Sequence, residues 1–208
     1  MIGTKILEER KSKYNGIVRV SKTIGMGTYI QVGNLTQSGG IVKTIWRQTL
    51  KHIHPSHVRN VLILGLGGGT VANLISKKYP KAKITGVEID PVMIDLGKKY
   101  LKLDDIKADI KITDALKFLK SKSLCHYDLI VVDLYNGDRF PKEFETEKYI
   151  KIIKTILTKD GLAIFNRLYY GDKRSGSIKF GKMLEGLFED VKWYYPEANL
   201  MFIVSKNP

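Results

Sequence analysis

A single cysteine, Cys125, excludes an intramolecular disulfide and makes a reducing cytosol the natural compartment. No apolar stretch approaches the roughly 18–20 residues that a membrane-crossing helix needs. The opening residues MIGTKILEERKSK lack an apolar core segment, so no signal peptide is expected. A cytoplasmic protein that stays out of membranes follows from these absences. The most telling scarcity is of acidic residues. From Arg10 to Val87 there are 13 Lys or Arg and no Asp or Glu, whereas from Glu88 onward 21 basic residues face 19 acidic ones. The net charge of +14 therefore resides in the N-terminal third. Such a surface attracts nucleic acid or acidic protein, although 28 scattered Lys among 35 positive residues also fit a solvated surface without a partner. Either way, a cationic substrate finds little to hold it in that third.

What is present begins with Val61–Thr70, VLILGLGGGT, followed by VEID at Val87–Asp90. Four apolar residues read as a buried parallel strand, and Gly65, Gly67, Gly68 and Gly69 form the turn that ends it. Thr70–Tyr79 then reads as a helix. Glu88 lies about 23 residues beyond the first glycine, where an acid accepts hydrogen bonds from both hydroxyls of a ribose laid across the turn. A nucleoside-containing cofactor is the consequence. Nicotinamide enzymes use G-x-G-x-x-G, but here Thr70 takes the third glycine's place and the pattern is G-x-G-x-G through Gly65, Gly67 and Gly69. S-adenosylmethionine carries no pyrophosphate, and its turn needs room for a methionyl group instead of a phosphate cradle.

Around this unit, strands are expected at 61–65, 84–88, 110–113, 128–133 and 161–166, and helices at 70–79, 91–101, 114–121, 142–158 and 174–188. Such alternation gives right-handed crossovers and a parallel sheet covered on both faces. Val191–Tyr195 and Leu200–Val204 end the chain as a hairpin, so one strand runs antiparallel, as in the class I methyltransferase sheet. The expected fold is α/β: a mostly parallel seven-stranded Rossmann-like sheet with helices on both faces. Before it, Tyr14–Val20 and Thr28–Val32 read as a small antiparallel sheet, and Ile41–His54 as an amphipathic helix. Pro55-Ser56 marks the join, dividing the chain into a strand-and-helix module at 1–56 and a cofactor-binding domain at 57–208.

Further acids stand at strand exits. Asp114, in KITDALKF, suits an N-cap and equally an acceptor for an adenine amino group. Asp133, in YDLIVVDLYNGD, has no evident cap role and lies at the same sheet edge as Gly67 and Glu88, where a sulfonium would point. Tyr135, Asn136 and Asp138 follow in a loop placed to line an acceptor pocket. His52, His54 and His57 have no cysteine or acid nearby, so they read as helix-end and loop residues and no metal is expected. Cys125, before the fourth strand, reads as structural.

VLILGLGGGT, VEIDP, TDALKFL and YDLIVVD resemble the spermidine synthase branch of the methyltransferase superfamily over nearly the whole chain. NLTQSGG is similar to that family's D-G-x-x-Q turn. The resemblance implies that Glu88 holds the ribose, Ile89 flanks the adenine, Asp114 meets the adenine amine and Gln37 reaches the cofactor. Departures from the family pattern are specific. Its G-G-G-D-G-G turn carries an Asp that binds the donor's amino group, and here that place is Gly68. Its D-S-T-D-P segment becomes Asp133-Leu134-Tyr135-Asn136-Gly137, with neutral Asn136 for the second acid. Its Tyr-His-Glu segment matches Trp46-Arg47-Gln48 at best. The expectation is therefore an S-adenosylmethionine-dependent methyltransferase on a spermidine synthase frame, releasing S-adenosylhomocysteine. Asp133 would position or deprotonate the acceptor, with Tyr135 and Asn136 orienting it. The acceptor is a small molecule or macromolecule, an anionic one included, and a homodimer burying the edges of the N-terminal sheet is expected. Aminopropyl transfer and a non-catalytic basic binding module are the alternatives.

Overall fold

The computed structural model describes residues 3–55, 57–121 and 125–206, so the expected join at Ser56 falls outside the described residues. Where two N-terminal strands were expected there are four: β1 (Thr4–Ser12), β2 (Gly16–Thr23), β3 (Gly27–Val32) and β4 (Leu35–Gly39), an antiparallel meander in chain order. The first, ILEERKS, is too charged to read as a strand in isolation. Its charges are satisfied across the ladder, where Glu9 stands opposite Arg19 of β2 and pairs with it. Charged side chains on such an edge also discourage pairing with another chain. The fourth strand takes up NLTQSGG, because the Gly33-Asn34 turn folds it back on β3.

Then follow α1 (Gly40–Lys51), β5 (Asn60–Leu64), α2 (Thr70–Lys78), β6 (Lys83–Glu88), α3 (Pro91–Leu101), β7 (Ala108–Ile112), α4 (Ala115–Leu119), β8 (Tyr127–Val132), α5 (Glu147–Ile156), β9 (Leu157–Leu168), α6 (Lys173–Glu185), β10 (Asp190–Tyr194) and β11 (Asn199–Ser205). The expected helix 142–158 is shorter because Thr146 caps it, its hydroxyl accepting from the Tyr149 N–H at 3.3 Å. Beyond Ile156 the chain is extended, and β9 is twice as long as the expected 161–166. The main sheet has seven strands in the order β10-β11-β9-β8-β5-β6-β7, with β5 through β9 parallel and β11 antiparallel between β9 and β10. That is the mostly parallel class I methyltransferase sheet expected from the strand–helix alternation and the terminal hairpin.

Two apolar layers cover this sheet. Val61 and Ile63 face Trp46, Leu50 and Ile53 of the α1 segment together with α2, while Leu62 and Leu64 face α5 and α6. Val61, Leu62, Ile63 and Leu64 are all fully buried, which is why the run is continuous rather than alternating. The small sheet packs Val18, Val20 and Ile30 on Met93 and Leu96 of α3. A polar clasp reinforces that contact: Glu8 accepts from Lys99 and from the Tyr100 hydroxyl, both at 2.7 Å. Lys99, Tyr100 and Arg10 together hold the Glu8 carboxyl down at about 2.

Between β5 and α2, backbone approaches backbone. A Cβ on Gly65 would lie 2.1 Å from the Asp133 carbonyl oxygen, and one on Gly97 of α3 would lie 2.7 Å from the Cα of Gly68. Alanine favours a helix interior by about 1 kcal/mol over glycine, so Gly97→Ala would stabilise α3 if nothing were nearby. We expect instead a net loss of about 1–3 kcal/mol, the range for overpacking. Urea unfolding of the two proteins measures it, and an unchanged or raised stability would mean α3 does not seat on the turn.

Candidate active site

β5 lies at the point where the chain turns from one half of the sheet to the other, with β6 on one side and β8 on the other. Ligands of open α/β sheets bind outside the carboxyl ends of strands at such a point. Three backbone bonds lock those ends together: the N–H groups of Gly65 and Leu66 donate to the Val87 carbonyl, and that of Asp133 to the Leu64 carbonyl, all within 3.0 Å. Over this edge opens a cavity of about 370 Å³.

Glu88 ends β6 at the floor of that cavity and is 9% exposed. One carboxylate oxygen accepts from the Gly67 N–H at 2.7 Å and the other from the Asp90 N–H at 2.9 Å. Burial nevertheless pushes its pKa up. A carboxylate has about four acceptor positions, so capacity remains for a ribose hydroxyl. Gly65 and Gly67, both with positive φ, line the cavity as bare backbone. Gly69 does not line it; in the left-handed conformation it turns the chain into α2, where a Cβ would strike Leu103 at 2.5 Å. Ile89 is partly exposed on the rim, and Asp114 reaches the same cavity from the exit of β7. Asp114 is the N-cap of α4, its Oδ1 accepting from the Lys117 N–H at 2.8 Å, and Oδ2 remains for a second donor.

Asp133 leaves β8 beside Gly65 and is held at both oxygens. Trp46 donates its indole N–H to Oδ2 at 3.0 Å, and the Asn166 amide donates to Oδ1 at 2.7 Å. Asn166 accepts in turn from the Asn199 amide at 2.7 Å, so β11, β9, β8 and α1 converge on one carboxylate. Removal from water raises the Asp133 pKa to about 6, the two hydrogen bonds opposing the shift. Tyr135 lines the cavity, but its hydroxyl has backbone partners. It accepts from the Leu168 N–H at 2.7 Å and donates to the Asn166 carbonyl at 3.3 Å, which makes it a brace for the loop after β8. Burial raises its pKa, so the phenol stays neutral. Asn136 pairs its backbone with Arg139 and also faces the cavity. Gln37 on β4 donates to the Gly137 carbonyl at 3.0 Å, tying the small sheet to that loop.

The cavity also uses residues that no local pattern announces. The Ser38 hydroxyl accepts from the Gly68 N–H at 2.8 Å, and Thr70 accepts from the Gly39 N–H at 2.7 Å, seating β4 on the glycine turn. Asp90 caps α3 and accepts from Ser12 and Asn15, which brings the β1–β2 turn with Tyr14 over the opening. Glu143 and Glu197 complete the far wall. Among the described residues that line it, five are carboxylates (Glu88, Asp114, Asp133, Glu143 and Glu197) and none is Lys, Arg or His. No group of His, Cys, Asp and Glu among the described residues is arranged to hold a metal. His52 closes α1 and stacks on Tyr194 at 4.0 Å. No helix among the described residues is long and apolar enough to cross a membrane.

Comparison with known proteins places this geometry. The Spermine/spermidine synthase domain matches residues 45–194. An eEF1A lysine and N-terminal methyltransferase homolog of Drosophila melanogaster is 31% identical over 127 residues, 57% of this chain and 19% of that protein. A polyamine aminopropyltransferase of Clostridium perfringens is 28% identical over 204 residues, 89% of this chain and 71% of its own. The chain spans between 19% and 59% of the length of five curated relatives that it matches. Among solved structures, spermidine synthase from Thermotoga maritima superposes with a TM-score of 0.79 at 19% identity, over 98% of this chain and 73% of its own. Human methyltransferase-like protein 13 in complex with SAH superposes with a TM-score of 0.63 at 23% identity, over 81% of this chain and 80% of its own. These two share the fold. The matched span holds the glycine turn, Glu88, Asp114, Asp133 and Asn166, and the chain belongs to the spermine/spermidine synthase domain family.

Proposed function

We propose that this chain is an S-adenosylmethionine-dependent methyltransferase whose acceptor is an amine. The observation that carries the reading is a cavity walled by five carboxylates and, among the described residues, no Lys, Arg or His, inside a protein of net charge +14. Fields that matter for a bound group are those of its near neighbours, since exposed charges beyond about 8–10 Å are screened. A sulfonium and an ammonium are both cations and both suit these walls. In place of the anionic acceptor suggested by the overall charge, the cavity favours a positively charged one.

Gly68 supports methyl transfer over aminopropyl transfer. In this family an Asp at that place binds the donor's amino group, and here a Cβ on Gly68 would lie 2.7 Å from Ile30 and 3.0 Å from Leu101. A carboxylate side chain there would have to push aside the side-chain tips of Ile30 and Leu101. Glu88 and Asp114 are placed to hold the ribose and the adenine amine. The donor supplies a methyl group already activated on sulfur. Asp133, ionised at neutral pH and fixed by Trp46 and Asn166, takes the proton from the incoming ammonium so that the free amine's lone pair attacks the methyl carbon. The carbon–sulfur bonding pair would stay on sulfur, the nitrogen would carry the charge of a methylated ammonium, and Asp133, left neutral, would release its proton to solvent as the products depart. Positioning of this kind supplies roughly 7–11 kcal/mol, and the proton transfer about 10²–10⁴ in rate.

A second reading has one specific observation in its favour. A donor with a free carboxylate meets no cation among the described lining residues, whereas the decarboxylated donor of aminopropyltransferases meets only acids. Calorimetry decides between them. S-adenosylmethionine is expected to bind more tightly than its decarboxylated form, and Glu88→Ala to weaken it by roughly 10²- to 10⁴-fold, as loss of two hydrogen bonds to a charged group implies. No binding at millimolar concentration, or preference for the decarboxylated donor with putrescine turnover, would overturn methyl transfer.

Trp46 provides a reporter for Asp133, because its indole N–H is bonded to the carboxylate. Its fluorescence is expected to titrate with a midpoint of about 6, and Asp133→Asn to abolish that step. The stability follows with a definite sign. The folded protein holds a proton at Asp133 between pH 3.8 and about 6 that the unfolded chain has released, so stability declines as pH rises through that window. Asp133→Asn is expected to remove this part of the decline in pH-dependent urea unfolding.

A further inference from the structure

Behind the loop that follows β8 lies a second cavity, of about 830 Å³, sharing Tyr135, Asn136, Pro141 and Leu168 with the first. Unlike the first, it is lined by cations as well as acids: Arg139, Lys142, Arg167 and Lys173 stand beside Asp138, Glu145 and Asp172. Lys173 is already engaged, 3.1 Å from Asp138 and 3.7 Å from Asp172.

Arg167 is the group without a full set of partners. Its side chain is 7% exposed and packs in the corner made by two rings, with the guanidinium carbon 4.1 Å from the centre of Phe140 and 4.9 Å from that of Phe180. One nitrogen, Nη2, donates to Glu145. Nε and Nη1 are sealed from solvent and make no hydrogen bond. Leaving such donors unpaired in a protein interior is unfavourable, and nearly all of them are satisfied in native structures. An arginine seated against aromatic rings is the side chain best suited to recognising a planar or tetrahedral oxyanion. Glu145 uses only one of its bonds, and its own side chain is 34% exposed on the loop before α5.

We propose that this second cavity is an oxyanion subsite, in which a carboxylate or phosphate carried by the acceptor displaces Glu145 and takes Arg167 as its partner. The acceptor then has two ends of opposite charge: an amine in the acidic cavity and an acid group against Arg167, across the wall that the two cavities share. Assigning the oxyanion to the acceptor rests on the amine reading of the first cavity. The subsite itself stands on Arg167 alone.

The test therefore uses the full chain with no methyl donor present. Inorganic phosphate and, separately, acetate are titrated by calorimetry at constant ionic strength. Glu145→Gln frees Arg167 and is expected to tighten binding of at least one anion tenfold or more, a result that misfolding cannot imitate. Arg167→Gln is expected to abolish binding, with circular dichroism checking its fold. Lys51→Gln, an exposed cation on α1, is expected to change nothing. A tighter response to phosphate marks a phosphorylated acceptor, and to acetate a carboxylated one. Unchanged or weaker anion binding in Glu145→Gln would overturn the subsite, as would an equal loss from Lys51→Gln. Absence of S-adenosylmethionine binding, by contrast, would overturn the methyltransferase reading and leave the subsite standing.

Discussion

The approach of two backbones governs the site. Gly65 follows β5 with no side chain, and the Asp133 carbonyl occupies the place where a Cβ would begin. Only because that contact is bare backbone can the exits of β5 and β8 lie side by side, with the Asp133 N–H bonded to the Leu64 carbonyl. Everything chemical follows from this neighbourhood. Glu88 reaches the Gly67 N–H from one side, and Asp133 stands at the other, so the two acids border the same cavity. Any residue but glycine at 65 would have to part the two strands, and parting them would dissolve the cavity.

The residues legible from the chain alone share one property: their positions follow from local chemistry. A buried strand, a glycine turn and an acid one strand later need no knowledge of distant partners, and Gly65, Gly67, Glu88, Asp114 and Asp133 all come to the same cavity. The hidden ones depend on pairing. β1 is a strand because Glu9 meets Arg19 and because Glu8 meets Lys99 and Tyr100, contacts separated by up to 92 residues. Trp46 and Asn166 are ordinary core-type and strand-end residues until the fold aims both at Asp133. Tyr135 shows the opposite case, a plausible catalytic hydroxyl whose bonds turn out to go to the backbone of β9.

Charge illustrates the same difference between chain order and space. Counting along the sequence separates a basic third from a balanced remainder, and this says nothing about where the acids end up. The fold draws carboxylates from β6, β7, β8 and the β10–β11 turn to one opening. It leaves the lysines and arginines of α1, Lys43, Arg47 and Lys51, exposed on the outer face. Basic exterior and acidic interior are thus compatible, because solvent screens one from the other. Asp133 then acquires its raised pKa from loss of water rather than from its acidic neighbours.

One bond spans a hundred positions: the Gln37 amide holds the Gly137 carbonyl. Gln37 belongs to β4, and β4 is hydrogen-bonded into a meander that packs on α3. The loop from Asp133 to Lys142 therefore inherits the rigidity of a sheet to which it does not belong. Breathing of the pocket must either stretch that clasp or carry the whole meander with it. A designer seeking to widen the range of accepted molecules would begin at Gln37, well before touching the loop itself.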